Sequence, residues 1–343
     1  MSKILEQIIR EKKQAELDRL DALKAVKKLF LQLKDREQDV LTRRYGLSGD
    51  KKETLDSIGK SHQLTRERVR QIETASLTKL RKLSGLEEYL KDIRQATTDL
   101  LQEHGGLMKQ EYLLDILVMS LKEAGQKDLD KVQTQNLYKS HFDFLIAKLL
   151  NNDVSKTSTS DNFLASYRLK NMKTNHFEDL VAEIVNKLKN ISQTVKVSEL
   201  LSILKNLENY KKHELTINNV SQSDLFSVFK NNIFPEEAKI INDDKALYSF
   251  LETIKYLDRN KFGEWGLIEW KEIKPKTVND KIYLVLKHNK RPLHFTEIAE
   301  KINEVAFDHK KANAATVHNE LILDDRYELV GRGLYGLKTW REQ

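Results

Sequence analysis

Apolar residues recur every three or four positions through most of the chain, a spacing that is typical of amphipathic α-helices. The first such pattern covers residues 1–32 and predicts a helix that either binds a partner or covers the core of the region after it. Short aromatic and apolar stretches that would form strands occur at Ala165–Leu169, Trp265–Ile268 and Leu334–Leu337. The pattern therefore predicts a mainly α protein with small β-hairpins.

The stretch from Glu53 to Leu83 has the residue pattern of a helix-turn-helix. Gly59 in the first helix lets a second helix pack closely, and Leu64 in the turn fills the space between the two helices. Thr65 is a good N-cap, because its hydroxyl can accept a hydrogen bond from a free amide of the next turn. The second helix has apolar residues at helical spacing, which are Val69, Ile72, Leu77 and Leu80.

The first two turns of this second helix carry charged and amide side chains largely off its apolar face. These residues are Arg66, Glu67, Arg68, Arg70 and Gln71. Arginine can bond guanine through two hydrogen bonds, glutamine can do so with adenine, and glutamate can accept one from cytosine. Further arginines suit phosphates. A solvated face on an ordinary helix has the same residue types, but the whole ordered stretch favours a recognition helix that enters the major groove.

Residues from about Leu33 to Leu83 resemble region 4 of bacterial primary-type sigma factors, the sigma-70 family. The resemblance rests on four motifs, which are LKDREQDVLTRRYGL from Leu33, TLDSIG from Thr54, LTRERVRQIE from Leu64 and LTKLRKL from Leu77. It implies that the first motif is region 4.1 and that the others form region 4.2, which reads the promoter −35 element in that family. Region 4 also docks on the flap of the polymerase β subunit. The implied partners are therefore −35-like double-stranded DNA and the RNA polymerase core.

Carried over by position, the resemblance assigns roles to seven residues. The base-reading residues would be Arg66, Glu67 and Gln71. The phosphate-binding residues would be Thr65, Arg68, Arg70 and Lys79, of which the last three could instead contact an upstream factor. Nothing downstream resembles sigma region 2, which melts the −10 element. We therefore expect that this chain alone does not open a promoter as a primary sigma factor does.

The net charge of +7 is concentrated in the sigma-like part of the chain. Residues 1–94 contain 23 Lys and Arg against 16 Asp and Glu, whereas residues 95–343 contain 36 of each kind. Because neutralisation of phosphates supplies much of the affinity for DNA, DNA contact is most expected in the first segment.

Residues 95–343 show a weak internal repeat. Three times, a helix is followed by a short apolar stretch and by a second helix that begins near a glutamate. Each copy later has a helix and then a strand-like segment, which is the order of a winged helix. The predicted domains are a helix-turn-helix domain at 1–94, winged-helix-like modules at 95–174 and 175–272, and a further winged-helix domain at 273–343. Asn151–Asn162 is predicted to be a wing tip or a loop, loops are predicted at Tyr210–Asn219 and Asn242–Lys245, and Glu272–Thr277 is predicted to be the linker into the last module.

The third copy, from about Lys276 to Trp340, resembles the HARE-type helix-turn-helix domain. The motifs that carry this resemblance are DKIYLVL, PLHFTEIA, ATVHNELI and RYELVGRGLYGL. HARE domains are winged-helix modules found in the delta subunit of bacterial RNA polymerase and in several chromatin and restriction proteins. The resemblance implies a role in binding DNA or in contacting protein in transcription machinery.

The residues of this third copy leave DNA contact and protein contact equally open. The predicted recognition helix, Ala312–Leu323, has only His318 and Asn319 as evident base readers, and two aspartates follow it. The predicted wing joins its two strands through Gly331-Arg332-Gly333, in which glycines can adopt a positive φ. Arg332 is the wing residue that would contact DNA.

Several functional classes are disfavoured by the sequence. There is no cysteine, no apolar run long enough to span a membrane and no signal-peptide core, so we expect a cytoplasmic, nucleoid-associated protein. The nine histidines are scattered and form no H-E-x-x-H pair, and no phosphate loop is present. We therefore expect no enzyme, no metal and no cofactor. The tryptophans Trp265, Trp270 and Trp340 could stack on a ligand, but packing in the wings is the favoured interpretation.

The sequence thus predicts a mainly α protein in which an N-terminal helix-turn-helix is followed by tandem winged-helix-like modules with small β-hairpin wings. The first functional hypothesis is a sigma factor-like, sequence-specific transcription regulator that reads promoter-type DNA through helix 66–82. The alternative is an RNA polymerase-binding adaptor, similar to a delta subunit, whose helical modules contact protein rather than bases.

Overall fold

The computed structural model describes residues 20–123, 129, 131–172, 175–217 and 237–341. They form two compact units. The first unit contains the described residues up to 172 together with 213–217 and 237–253. The second contains 175–212 and 254–341.

The described residues are mainly helical. The helices are α1 (Ala22–Phe30), α2 (Asp35–Tyr45), α3 (Leu55–His62), α4 (Arg66–Arg81), α5 (Leu86–Glu103), α6 (Gln110–Glu123), α7 (Val132–Leu149), α8 (Asn175–Ile191), α9 (Val197–Asn206), α10 (Glu208–Ile217), α11 (Ala238–Asp243), α12 (Lys245–Thr253), α13 (Val278–Asn289), α14 (Phe295–Val305) and α15 (Ala314–Leu323). The strands are β1 (Leu107–Lys109), β2 (Val154–Thr157), β3 (Ser166–Leu169), β4 (Leu257–Arg259), β5 (Trp265–Leu267), β6 (Leu293–His294), β7 (Tyr327–Gly331) and β8 (Leu334–Leu337). A 3-10 helix, Lys338–Arg341, follows β8.

Helices α3 and α4 form the predicted helix-turn-helix around a small apolar core. Val40 from α2, Ile58 from α3 and Val69 from α4 are fully buried together. Thr65 caps α4 by accepting a hydrogen bond from the amide of Arg68, at 3.2 Å. Because hydroxyl caps satisfy amides that have no partner within the helix, this threonine marks where α4 begins.

The turn between α3 and α4 depends on two backbone features. Gln63 ends α3 in the left-handed conformation, with a φ of 54°. The amide of Leu64 then donates to the carbonyl of Gly59, at 2.8 Å. A Cβ atom on Gly59 would lie 2.7 Å from the carbonyl oxygen of Leu64, so the turn can fold back only over a residue without a side chain. Gly59 was predicted to allow close packing, and the closest group to it is the turn itself.

The rest of the first unit contains a winged helix. Its element order is α5, β1, α6, α7, β2 and β3, and the antiparallel sheet has the order β1-β3-β2. Tyr167 occupies the middle of the central strand, paired with Met108 on one side and Lys156 on the other. Helix α7 packs against the helix-turn-helix region, where Phe144 contacts the rings of Phe30 and Tyr45 at centroid distances of 5.9 and 5.0 Å.

The second unit repeats the winged-helix pattern. In its C-terminal part, α13, β6, α14, α15, β7 and β8 follow one another, and the sheet order is β6-β8-β7. Before this, β4 pairs with β5, and Trp265 in β5 forms an isolated bridge with Val195, just before α9. Trp265 and Tyr335 are buried in the same central-strand position that Tyr167 occupies in the first unit.

These observations confirm the predicted fold class: mainly α, with a helix-turn-helix and winged-helix-like modules. The domain boundaries and the HARE resemblance stay predictions. The helix predicted over 1–32 is present as α1, and residues 1–19 lie outside the described part. Tryptophan packing is seen in the wings, where the ring of Trp270 lies over Gly266 and that of Trp340 lies over Gly336.

Three predicted loops were wrong in part. The segment Asn242–Lys245 is helical except at Asp244, because α11 runs to Asp243 and α12 begins at Lys245. The segment Asn151–Asn162 contains β2, because Val154 is buried and the strand pairs with β3 in spite of its polar composition. The described part of Tyr210–Asn219 belongs to helix α10, in which Tyr210 is buried.

In the C-terminal wing, both glycines of the turn were predicted to be able to adopt a positive φ. Only Gly333 does so, at 69°, whereas Gly331 belongs to strand β7.

We expect Gly59→Ala to destabilise the helix-turn-helix by about 1–3 kcal/mol, because the new methyl group would overpack a fixed backbone carbonyl. Hydrogen exchange of the full chain should show faster exchange in peptides from residues 55–72. Gly85→Ala is the matched control, since its Cβ would meet only the Tyr89 ring, at 3.3 Å. Equal exchange in the two variants would contradict this account of the turn.

Candidate nucleic-acid interface

Helix α4 is held by its buried face and presents its first two turns to solvent. Val69 and Leu80 are fully buried, and Leu77 is nearly so. The seven residues with predicted DNA roles in this region are all exposed: Thr65, Arg66, Glu67, Arg68, Arg70, Gln71 and Lys79. The helix can therefore offer these side chains to a ligand without losing its packing.

The exposed polar side chains of α4 are partly organised by one another. Both side-chain oxygens of Glu67 accept hydrogen bonds from Arg70, at 2.7 and 2.8 Å. These bonds lower the pKa of Glu67 and raise that of Arg70. Arg68 donates to the side-chain oxygen of Gln71, at 3.1 Å. Two predicted base readers, Glu67 and Gln71, are thus already paired with predicted phosphate ligands.

Arg66 differs from its neighbours. Its guanidinium has no hydrogen-bond or ion-pair partner among the residues that the structure describes. Lys79, a further predicted phosphate ligand, lies 3.4 Å from the carboxylate of Glu37. With three arginines and one glutamate between residues 66 and 71, the first two turns have a net positive charge that suits a polyanion.

Two ionic groups that the sequence analysis missed brace α2 against the helix-turn-helix. Asp39 on α2 lies 2.6 Å from the ring of His62 at the end of α3, and it also accepts from Arg43, at 2.9 Å. Burial opposes ionisation of Asp39, but these two partners lower its pKa overall. On the other side, the hydroxyl of Tyr45 donates to Glu73 of α4, at 2.5 Å. The Asp39–Arg43 pair has the i,i+4 spacing of a helix and was readable from the sequence, whereas the bonds to His62 and Glu73 join residues 23 and 28 positions apart and leave no local pattern.

The C-terminal winged helix has a different surface. His318 on α15 packs against the rings of Phe295 and Tyr335, so only Asn319 of the two predicted base readers is exposed. Arg332 is exposed at the tip of the wing, as predicted. Large apolar side chains are exposed nearby in the sequence, at the end of α15 and on the wing strands: Ile322, Leu323, Leu329, Val330 and Leu334.

Within the described ranges, no group of three or more histidine, aspartate or glutamate side chains is arranged to hold a metal ion. None of the helices that the structure describes is both long enough and apolar enough to cross a membrane.

Comparison with known proteins assigns the helix-turn-helix region to a family. Residues 29–82 match the family model for sigma-70, region 4. The chain is 45% identical over 69 residues to the RNA polymerase sigma factor SigA of Nostoc sp. (strain PCC 7120), covering 19% of this chain and 18% of that protein. It is 48% identical over 62 residues to SigA1 of Synechococcus elongatus, covering 17% and 16% of the two chains.

A third relative, SigA of Lactococcus lactis subsp. cremoris, is 49% identical over 49 residues, which is 14% of each chain. The chain thus spans less than a fifth of the length of these curated relatives. The search of solved structures gave no significant match. The helix-turn-helix of residues 29–82 is therefore similar to sigma-70, region 4, and this likeness covers that part of the chain alone.

We expect Glu67→Gln to strengthen binding to duplex DNA of arbitrary sequence, because it removes a negative charge and releases Arg70. The salt dependence of binding should become steeper by up to about one unit in the log–log slope. The thermal stability should stay nearly unchanged, since exposed ion pairs contribute little. Fluorescence anisotropy over a salt series measures the affinity and its salt dependence. Glu88→Gln, on the exposed surface of α5, is the control, and an unchanged slope in Glu67→Gln would refute the expectation.

Proposed function

We propose that the chain is a sigma factor-like, sequence-specific transcription regulator that acts at initiation. Helix α4 would enter the major groove of promoter-type DNA, with Arg66, Glu67 and Gln71 facing bases. One observation carries this proposal. Helix α4 buries one face, and its first two turns expose a net positive set of side chains within the segment that matches sigma-70, region 4.

The arrangement of α4 suits both kinds of contact that a DNA reader needs. Phosphate contacts fix register and orientation, whereas base contacts specify the sequence. Thr65, Arg68, Arg70 and Lys79 would provide the first kind of contact. Arg66, which has no partner among the described residues, is available for a bidentate bond to guanine. Gln71 would exchange its bond from Arg68 for one to adenine.

The partners that we propose for this protein follow from its likeness to sigma region 4. The relatives are RNA polymerase sigma factors by name. We therefore propose that the DNA target resembles a −35 element and that the region also contacts the RNA polymerase core through the β flap. In this role the protein is not an enzyme, requires no cofactor, and would be found in the cytoplasm with the nucleoid.

Arg66→Ala and Gln71→Ala should each reduce sequence discrimination by about 1–3 kcal/mol, because each removes a base contact. Duplexes selected from a random pool by the full chain at about 0.15 M salt would provide the preferred site. Competition titrations against a scrambled duplex then give the discrimination of each variant. Lys79→Ala should weaken binding to both duplexes equally, as expected for a phosphate contact.

Lys91→Ala, which removes an exposed positive charge on α5, serves as the control for loss of charge alone. Base reading by α4 is refuted if the wild type and Arg66→Ala bind the selected and scrambled duplexes with the same ratio of affinities.

A second function is favoured by the surface of the C-terminal winged helix. Leu323 is 82% exposed and Leu329 is 60% exposed, and such residues usually mark a protein contact on a soluble surface. Asp324 and Asp325 follow the helix, and Asp324 holds Arg326 in an ion pair, at 2.8 Å. We infer that this module contacts protein, so that the chain acts as an adaptor that binds RNA polymerase.

The adaptor function predicts that the immobilised full chain retains purified RNA polymerase core, and that Leu323→Ser and Leu329→Ser each weaken retention about tenfold or more. Burial of one leucine side chain contributes about 1.5–3 kcal/mol, which corresponds to roughly tenfold or more in affinity. Leu31→Ser is the matched control, because Leu31 is 73% exposed in the other unit. The adaptor function is excluded if the wild-type chain retains no polymerase.

A further inference from the structure

A basic cavity lies within the first unit, where the region 4 segment meets the first winged helix. Its volume is about 560 Å³. Its lining includes five basic side chains, each from a different segment: Arg44 of α2, Lys52 of the following loop, Lys148 of α7, Lys156 of β2 and Lys170 after β3. Three of the five lie beyond residue 94, in a part of the chain that has no net charge as a whole, so the charge distribution along the sequence does not predict this cluster.

Two carboxylates neutralise only part of this positive charge. Asp143 lies in the cavity wall and bonds Lys52 and Lys156, at 2.9 and 2.6 Å. Glu73 lies 3.6 Å from the guanidinium of Arg44. The five basic residues and these two carboxylates together keep an excess of three positive charges.

Lys148 is the basic residue least compensated by its surroundings. Its ammonium lies 5.5 Å from the centre of the Tyr45 ring, and it has no hydrogen-bond acceptor in the part of the chain that the structure describes. Burial lowers the pKa of Lys148, and although Glu73 opposes this effect, Lys156 and Arg81 add to it. An anion in the cavity would relieve this repulsion between like charges.

The size and lining of the cavity indicate what kind of anion fits. Cavities of about 300–1,000 Å³ are typical of small-molecule sites. Beside the basic residues, Tyr45, Phe144, Ala147 and Val154 provide apolar wall, which a bare inorganic ion would not use. We propose that this cavity binds a phosphate-bearing small molecule of nucleotide size, with Lys148, Lys170 and Arg44 around the phosphates.

The cavity is separate from the proposed DNA-reading turns. Arg81, at the last turn of α4, donates to the carbonyl of Lys148, at 2.9 Å. Arg81 lies ten positions beyond Gln71, which corresponds to about 15 Å along the helix. A concave site at this end of the helix suits a small ligand better than the convex edge of a duplex. The site therefore adds to the proposed DNA-binding function and does not depend on it.

Calorimetric titration of the full chain at about 50 mM salt tests the proposal, with ATP and pyrophosphate as anionic probes and adenosine as the uncharged counterpart. We expect both anions to bind, ATP more tightly than pyrophosphate because only ATP would use the apolar wall, and adenosine much more weakly than either. Lys148→Gln and Lys170→Gln should each weaken ATP binding about tenfold, the loss expected for one charge-assisted hydrogen bond. Lys91→Gln, the matched loss of one exposed charge in the same unit, should change it less than about twofold.

The variant Lys170→Gln keeps the test valid if Lys148→Gln folds poorly, because Lys170 is exposed. Binding of neither anion by the wild-type chain would overturn the proposal. So would an equal loss in Lys91→Gln and Lys148→Gln, since this would reflect general charge. A third overturning result is weaker duplex binding by Lys148→Gln with unchanged ATP binding, which would make Lys148 a DNA contact.

Discussion

The first unit depends on one buried carboxylate. Asp143 on α7 is only 6% exposed, yet its pKa is lowered, because hydrogen bonds from Lys156, Tyr167 and Lys52 outweigh the effect of burial. Gln110 at the start of α6 adds a fourth bond, at 2.8 Å. A buried charge is costly unless it is paired and hydrogen-bonded, so the folded first unit requires all of these partners to be in place around Asp143. Through Asp143, the wing strands, two helices and the loop of the region 4 segment are tied to one another.

This constraint also accounts for the basic cavity beside it. Lys52 and Lys156 approach one another because both bond Asp143, and Lys148 lies five residues further along α7. Lysines held at such short range repel one another, and Asp143 can neutralise only one of them. Asp143 thus brings two of the five basic side chains of the cavity together. An excess of positive charge, next to an apolar wall, is what an anionic ligand recognises.

The region 4 helix-turn-helix could be predicted in detail because its signals are local. Thr65 as N-cap, Leu64 in the turn and the apolar spacing of α4 all act within a few residues of one another. The bond between Lys52 and Asp143 joins residues 91 positions apart, and no local pattern reports it. Strand β2 was missed for a related reason, since its pairing with β3, rather than its own composition, makes it a strand. One readable signal was overlooked: Gly-Leu-x-x-Trp occurs at Gly266 and again at Gly336, and both tryptophans pack over the glycine.

The contrast between α4 and α15 shows why the shared helix-turn-helix arrangement does not settle what each helix binds. Both helices follow a turn, and each buries a valine and a leucine in its own core. On the exposed side, α4 presents arginines, whereas α15 ends in Ile322 and Leu323 and is followed by aspartates. The exposed arginines of the first surface suit a polyanion, whereas the exposed leucines of the second favour contact with another apolar surface. Function on such a fold resides in the exposed side chains, which can differ while the buried pattern is kept.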